Sequence, residues 1–145
     1  MSDLDALEGW AAPLIAALSP AARRTLLRAL AVDLRRSQQE RIARQQNPDG
    51  SAYVARRPQR AGHARRAMFH RIRQARYLKA KIMPNGVQVG YQGRVARIAR
   101  VHQEGGAEQS RPSGAVVRYA RRKLLGLNEM DRDKVRRALL SRLIP

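Results

Sequence analysis

The sequence predicts an α+β fold in which about five helices surround a small antiparallel sheet. Apolar residues recur at helical spacing towards both ends of the chain. Around residues 77–91, apolar and polar residues alternate on either side of an Asn-Gly pair, which predicts a β-hairpin. The length of 145 residues is typical of one domain. We therefore expect a single domain over 1–145, with an N-terminal helical region (1–46), a basic loop or arm (47–62) and an α+β core (63–145).

The N-terminal region is predicted to be helical throughout. Leucines recur at helical spacing over residues 3–18, and Pro13 is expected to divide this stretch into two short helices. Ser19 followed by Pro20 indicates a new helix start, because Ser caps well and Pro is tolerated at the first helical position. The apolar stripe that follows, which includes a glutamine at position 38, predicts a helix to about Gln46.

The segment NPDG at 47–50 is expected to stop that helix. Its residues match the preferences of a type I turn position by position. From Ser51 to Gly62 the chain is polar and basic and contains Pro58, which predicts a loop of about a dozen residues. We interpret this loop as an arm that contacts a partner.

Helical spacing returns after the arm and predicts a helix over 63–75, ahead of the hairpin. A further helix is predicted over 93–102. Residues 107–114 indicate a loop rich in Gly, Ser and Pro. Residues 115–119 indicate a short strand that could join the hairpin as its third strand.

The last helix carries the clearest start signal in the chain. Asn128 is a good N-cap, and Glu129 and Asp131 occupy the first turn, where the helix dipole favours acids. We expect its buried stripe to consist of Val135, Ala138, Leu139 and Leu143. We expect this helix to extend to the C-terminal residues.

The distribution of charge is the strongest functional signal. The formal net charge is +19, and residues 50–103 carry thirteen Lys or Arg and no acid. Arginine makes up nearly all of this surplus, and its planar guanidinium favours bidentate pairing with carboxylates or phosphates. Self-repulsion must be relieved by an anionic partner, by counterions or by assembly. An acidic partner is therefore expected at the middle of the chain.

Residue types that carry catalysis are scarce. The chain has no cysteine and three histidines, and it lacks the HExxH, GxxxxGK and GxSxG motifs. His102 and Glu104 could share a metal ion, but a third ligand is not evident. We therefore predict no enzyme activity, no cofactor and no metal site.

Two other binding modes stay open on charge alone. Arg and Lys side chains bind DNA or RNA by releasing counterions, although the aromatic residues of the basic region lack the clustering of a single-strand binder. A basic amphipathic helix at 63–76 could lie on an anionic membrane, but the core needs its narrow apolar face. The sequence shows no signal peptide and no apolar run of about 20 residues, so we expect no membrane contact.

Three stretches carry a resemblance that covers nearly the whole chain: LSPAARRTLLRALAVDLRRSQQERIARQQNPDGSAYVARR, RYLKAKIMPNGVQVGYQGRVARIARVHQEGG and RYARRKLLGLNEMDRDKVRRALLSRLI. The order of helix, NPDG turn, basic arm, hairpin, IARVHQEG and ARRKLLGL is more specific than any one motif. In this order the chain resembles the virion morphogenesis family of tailed phages, as found in temperate contractile-tailed phages and prophages.

The resemblance implies a structural virion protein that completes the tail at its head-proximal end and enables head–tail joining, without catalysis. Such proteins resemble ring formers, and six-fold tail symmetry implies a hexamer. The implied partners are other copies of the chain, tail tube or sheath proteins and head–tail connector proteins, with passing contact to DNA. The implied location is the neck of the virion, after assembly in the host cytoplasm. The alternative is an arginine-rich DNA-binding or packaging-associated protein.

Partner contacts are predicted in the arm, at the start of the helix over 63–75 and ahead of the last helix. Tyrosine and arginine dominate interface hot spots, so we expect one tyrosine to act as an apolar anchor among arginines. The predicted partner-contacting residues are Tyr53, Arg56, Arg57, Arg60, Arg65, Arg66, Arg121 and Arg122.

Overall fold

A computed structural model of the protein describes residues 3–56, 67–109, 114 and 116–143. Over these residues the chain forms four helices and four short strands, so the fold is α+β with helices dominant, as predicted. In chain order the elements are α1 (Asp3–Ala17), α2 (Pro20–Ala43), β1 (Leu78–Met83), β2 (Gly86–Tyr91), α3 (Arg94–Glu104), β3 (Gly106–Gln109), β4 (Val116–Tyr119) and α4 (Glu129–Leu143).

The first helix is one element, whereas the sequence predicts two short ones. α1 runs through Pro13 without a break. Proline removes one helical N–H group and leaves the carbonyl oxygen of Gly9 without its usual donor. Because Gly9 and Pro13 are both exposed, that oxygen can bind water and the helix continues.

The helix predicted over 63–75 does not form in the part that the structure describes. Residues 67–77 form successive turns, and the remainder of that range lies outside the described residues. Phe69 has a φ of 64°, and a right-handed helix cannot continue through such a residue. The described residues therefore hold four helices where about five were predicted.

The strands form two separate two-stranded sheets. β1 and β2 pair as the predicted hairpin, which confirms the Asn-Gly turn signal. β4 does not join the hairpin. It pairs with β3 in antiparallel register, from Gly106 opposite Tyr119 to Gln109 opposite Val116. The loop predicted to begin at residue 107 is therefore a strand over its first residues.

A single glycine explains why β3 begins directly after α3. Gly105 follows α3 with a φ of 69°, and a Cβ atom at this position would lie 3.2 Å from the Cβ atom of Arg121. Both conditions favour glycine. The chain therefore reverses immediately after α3, which brings residues 106–109 beside β4.

Contacts between described residues group the chain into two compact units. The prediction of one domain over 1–145 stays a prediction. The first unit comprises Met1–Ser37, Ala80–Val89 and Leu127–Pro145, and the second comprises Gln38–Lys79 and Gly90–Gly126.

The core of the first unit is formed by α1, the first part of α2 and α4. Leu7, Ala11 and Ile15 recur every four residues, so α1 buries one stripe. Each large aliphatic side chain contributes about 1.5–3 kcal/mol when fully buried. The stripe packs against Leu26, Leu27, Leu30, Val135 and Leu139.

The start of α4 is fixed by a reciprocal cap, as the sequence predicts. The backbone N–H of Asp131 donates to the side-chain oxygen of Asn128 at 2.8 Å, and the backbone N–H of Asn128 donates to the Asp131 carboxylate at 3.0 Å. The Ser37 hydroxyl donates to the other oxygen of the same carboxylate. Asp131 is fully buried, and these hydrogen bonds compensate for the loss of water. The cap therefore also joins α4 to α2.

Replacing Asp131 by alanine should lower the free energy of unfolding by about 1–3 kcal/mol, because donors from Asn128 and Ser37 lose their acceptor. The matched control is Asp133→Ala on the same helix. Its ion pair with Arg136 is about half exposed and contributes at most about 1 kcal/mol. Urea unfolding of the two variants checks the prediction, and equal losses would contradict it.

Candidate assembly interface

α2 ends within the second unit, just before a glutamine in a left-handed conformation. The N–H of Gln45 donates to the oxygen of Ile42 at 2.9 Å, and the N–H of Gln46 donates to the oxygen of Arg41 at 3.3 Å. This is a Schellman cap, in which glycine is usual at position 45. Gln45 has a φ of 58°. Its side-chain amide compensates by exchanging two hydrogen bonds with the backbone of Met68, each 2.9 Å long.

The NPDG turn follows directly and is confirmed as a tight turn. The N–H of Gly50 donates to the oxygen of Asn47 at 2.9 Å, and the N–H of Asn47 donates to the oxygen of Ser51 at 2.8 Å. The hydroxyl and the backbone N–H of Ser51 donate to the Asp49 carboxylate and lower the pKa of that exposed carboxyl group. The chain therefore reverses within a few residues.

The reversal places Tyr53 inside the second unit. Its backbone N–H donates to the oxygen of Gln45 at 2.8 Å, and its hydroxyl donates to the oxygen of Lys123 at 2.8 Å. The ring makes an edge-to-face contact with Phe69 at 5.6 Å. Tyr53 is 6% exposed, and this burial raises the pKa of its hydroxyl. Tyr53 is thus a core residue of the single chain.

The turn itself packs against the segment between β4 and α4. The side-chain oxygen of Asn47 accepts the N–H of Lys123 at 2.9 Å. Pro48 lies so close to Gly126 that a Cβ atom there would be 2.5 Å from the proline Cγ. A larger residue at 126 would push the turn away. The turn and the LLGL stretch (residues 124–127) therefore pack against each other.

Arg41 also binds this segment through hydrogen bonds. Its guanidinium donates to the carbonyl oxygens of Leu124 at 2.8 Å, Lys123 at 3.0 Å and Gln46 at 3.1 Å. It also donates to the side-chain oxygen of Gln38 at 2.6 Å. Arg41 is 1% exposed. A buried cation is tolerated only when its donors are used in this way.

Two glutamines complete the hydrogen bonding of this irregular segment. The side-chain oxygen of Gln103 accepts the N–H groups of Leu124 at 2.8 Å and Leu125 at 2.9 Å, and its amide nitrogen donates to the oxygen of Leu125 at 2.9 Å. The oxygen of Gln38 accepts the N–H of Gly126 at 3.1 Å. Backbone groups that a strand would pair with a neighbour are thus paired with side chains.

Arg122 forms hydrogen bonds with the backbone of the residues that follow the turn. Its guanidinium donates to the oxygen of Val54 at 2.7 Å and to the oxygen of Ala55 at 3.2 Å. Burial lowers the pKa of Arg122, and the positive charge of Arg56 acts in the same direction. Arg122 is 7% exposed, so its guanidinium is used within the chain.

The structure divides the predicted partner-contacting residues into three groups. Tyr53 and Arg122 are buried and support the chain from inside, whereas Arg121 is exposed and Arg56 is half-buried. The other four lie outside the described residues, and contact with a partner stays a prediction for all eight. Those four are Arg57, Arg60, Arg65 and Arg66.

Arg41, Gln38 and Gln103 organise this region, and the sequence analysis does not assign them a role. One signal is visible in the sequence, because Gln38 interrupts an apolar stripe of α2. A polar residue at a core position indicates a buried hydrogen-bonding site. Its backbone partner, Gly126, lies 88 residues away in the chain, so the sequence does not reveal it.

The described residues contain neither a metal-binding cluster nor a membrane-spanning helix. Across residues 3–56, 67–109, 114 and 116–143, no group of three or more His, Cys, Asp or Glu side chains is placed to hold a metal ion. Within the same part of the chain, none of the helices combines the length and the apolar character needed to cross a membrane.

Residues 2–144 match the model of the phage virion morphogenesis family. The chain therefore belongs to that family, which confirms the resemblance found in the sequence. Among its relatives is tail completion protein S of Escherichia phage P2. The two proteins are 34% identical over 148 residues, which cover 99% of each chain. No solved structure gives a significant match.

Replacing Arg41 by methionine should lower the free energy of unfolding by about 2–4 kcal/mol, because buried carbonyl oxygens lose their donor. The matched control is Arg36→Met on the exposed side of the same helix, for which we expect a change within about 0.5 kcal/mol. Urea unfolding followed by circular dichroism measures both. Similar stability of the two variants would contradict the role of Arg41.

The buried hydroxyl of Tyr53 should make the protein sensitive to alkali. Burial raises its pKa in the folded state above the value near 10 of an unfolded chain. Its contribution to stability is therefore complete below about pH 10 and is lost as the pH rises through the folded-state pKa. Unfolding free energies at about pH 8 and pH 11 should differ less in Tyr53→Phe than in the parent protein. An unchanged difference would refute this assignment.

Proposed function

We propose that the protein is a structural virion component that completes the phage tail at its head-proximal end and enables the tail to join the head. The observation that carries this proposal is the extent of the match to tail completion protein S of phage P2. The two chains are 34% identical over 99% of both lengths. Similarity that spans both chains supports a shared role better than a single motif does.

The use of buried polar side chains supports a role without catalysis. Gln38, Gln103 and Arg122 bind backbone groups of their own unit. Such hydrogen bonds stabilise a fixed shape. A protein that joins two large assemblies needs a fixed shape more than a reactive centre.

The charge of the chain restricts how its copies could form a closed ring. Each copy carries a formal net charge of +19, so copies associate only where acidic and basic surfaces meet. Closed rings are the usual result of a repeated head-to-tail contact. We propose a hexamer that matches the six-fold symmetry of a tail.

The predicted partner-contacting residues belong to this proposal in two roles, as contacts and as support. Arg56 and Arg121 are accessible, and Tyr53 and Arg122 hold the chain beneath them. We propose that this surface, together with Arg57, Arg60, Arg65 and Arg66, contacts tail tube, sheath or connector proteins. The protein would then lie in the virion neck, after assembly in the host cytoplasm, with passing contact to DNA.

The alternative of a DNA-binding or packaging-associated protein also has one observation in its favour. Arg94, Arg97 and Arg100 recur every three residues along α3 and are all exposed. Exposed arginines bind phosphates readily. The two functions predict different assembly defects in a phage that lacks the protein.

A phage that lacks this gene should produce DNA-filled heads and tails that do not join, or tails of abnormal length. The physical reason is that an unfinished tail end offers no surface for the head. Electron microscopy of lysates measures the outcome, and expression of the gene from a plasmid is the control that should restore joined particles. Intact infectious virions would contradict the proposal, and empty heads would favour the packaging alternative.

A further inference from the structure

A cavity of about 240 Å³ lies within the second unit, between α3 and the start of the LLGL stretch. Small-molecule sites usually measure about 300–1,000 Å³, so this cavity is better matched to one large side chain. Leu124 is fully buried and Ala99 is 5% exposed, so the cavity has an apolar floor. Its apolar lining consists of Ala96, Ala99, Leu124 and Leu125.

Two exposed charged side chains, Arg100 and Glu104, line the same cavity. Their spacing of four residues on a helix suits an ion pair. Within the part of the chain that the structure describes, however, neither side chain has an ion pair or a hydrogen bond. A guanidinium binds the face of an aromatic ring, and a carboxylate accepts hydrogen bonds. Apolar walls, a cation and an acceptor together match tryptophan, which has an electron-rich ring and one N–H donor.

The chain has a single tryptophan, and that residue is exposed. Trp10 lies on α1, away from the buried stripe of that helix, and is 39% exposed. Its neighbours on the same side of the helix are Ala6, Pro13 and Ala17, which are also exposed. Because these neighbours are small, the indole projects beyond them and α1 can approach another surface closely. Tryptophan is among the residues that most often dominate a protein interface.

The charge of α1 is compatible with docking beside α3. Among the four described helices, α1 alone contains acids and no Lys or Arg. Its approach to Arg100 therefore brings no further positive charge to the contact, whereas any other described helix would.

We propose that Trp10 of one copy of the chain inserts into the cavity beside α3 of the next copy. The indole ring packs against the apolar lining, its face lies against the guanidinium of Arg100, and its N–H donates to the carboxylate of Glu104. The inserted residue and the cavity are on different parts of the chain, so the contact is head-to-tail and repeats from copy to copy. This inference rests on the proposed ring and identifies a contact between its subunits.

The fluorescence of the single tryptophan reports this contact directly. An indole that leaves water emits at shorter wavelength. In the full-length parent protein, the emission maximum should move to shorter wavelength as the protein concentration rises. Multi-angle light scattering on the same samples measures the mass, and both changes should occur over the same range of concentration.

Three substitutions test the two sides of the contact. Trp10→Ala removes the inserted side chain, and Ala96→Leu fills the cavity. Each should weaken association at least about tenfold, as expected for a residue at the centre of an interface. Trp10→Phe keeps a ring but lacks the N–H donor, so its association should lie between those of Trp10→Ala and the parent. In Ala96→Leu, the tryptophan emission should keep its dilute-solution maximum where the parent has shifted.

Matched controls make similar changes elsewhere on the surface. Met130→Ala removes a large apolar side chain that is 68% exposed on α4, and Ala29→Leu adds one at an exposed position of α2. Both controls should associate like the parent. Circular dichroism and urea unfolding confirm that all variants are folded.

The outcomes distinguish this inference from the proposed function. Loss of association in Trp10→Ala and Ala96→Leu, with unchanged controls, supports the contact. A parent protein that forms a ring without a shift in emission overturns the inference and leaves the ring intact. The same conclusion follows if the ring survives either substitution or if the controls lose it equally. A parent protein that stays monomeric at every concentration overturns both.

Discussion

The second unit depends on one buried guanidinium. The segment between β4 and α4 has no regular structure, yet its backbone lies in the interior, where unpaired carbonyl oxygens are costly. Arg41 supplies donors to Lys123 and Leu124, and Gln38 and Gln103 bind the N–H groups that follow. The irregular segment is therefore stable because α2 and α3 provide the hydrogen bonds that a strand would obtain from a neighbour.

The arginine content has two physical uses that composition cannot separate. Arg41 and Arg122 are buried and bind carbonyl oxygens of their own chain, whereas Arg94 and Arg97 are exposed. From the sequence alone, Arg122 is predicted to contact a partner, because arginine is frequent in interface hot spots. Its hydrogen bonds run to Val54 and Ala55, which lie 68 and 67 residues away, respectively.

Features set by neighbouring residues were predictable, and features set by distant residues were not. The NPDG turn, the hairpin and the Asn128 cap each depend on a few adjacent residues, and all three are confirmed. The pairing of β3 with β4 depends on Gly105 and on residues beyond 115. The left-handed residues Gln45 and Phe69 are stabilised by hydrogen bonds or aromatic contacts that no local pattern encodes. The candidate interface could be predicted only as a basic surface.

The long separation between Arg41 and its acceptors also constrains the order of folding. The partners lie 82 and 83 residues apart, and Ser37 meets Asp131 across 94 residues. Closing loops of this length is slow compared with forming a helix or a turn. Neither unit can be completed until the ribosome has released most of the polypeptide. A prematurely terminated chain therefore lacks the contacts that shape its surface.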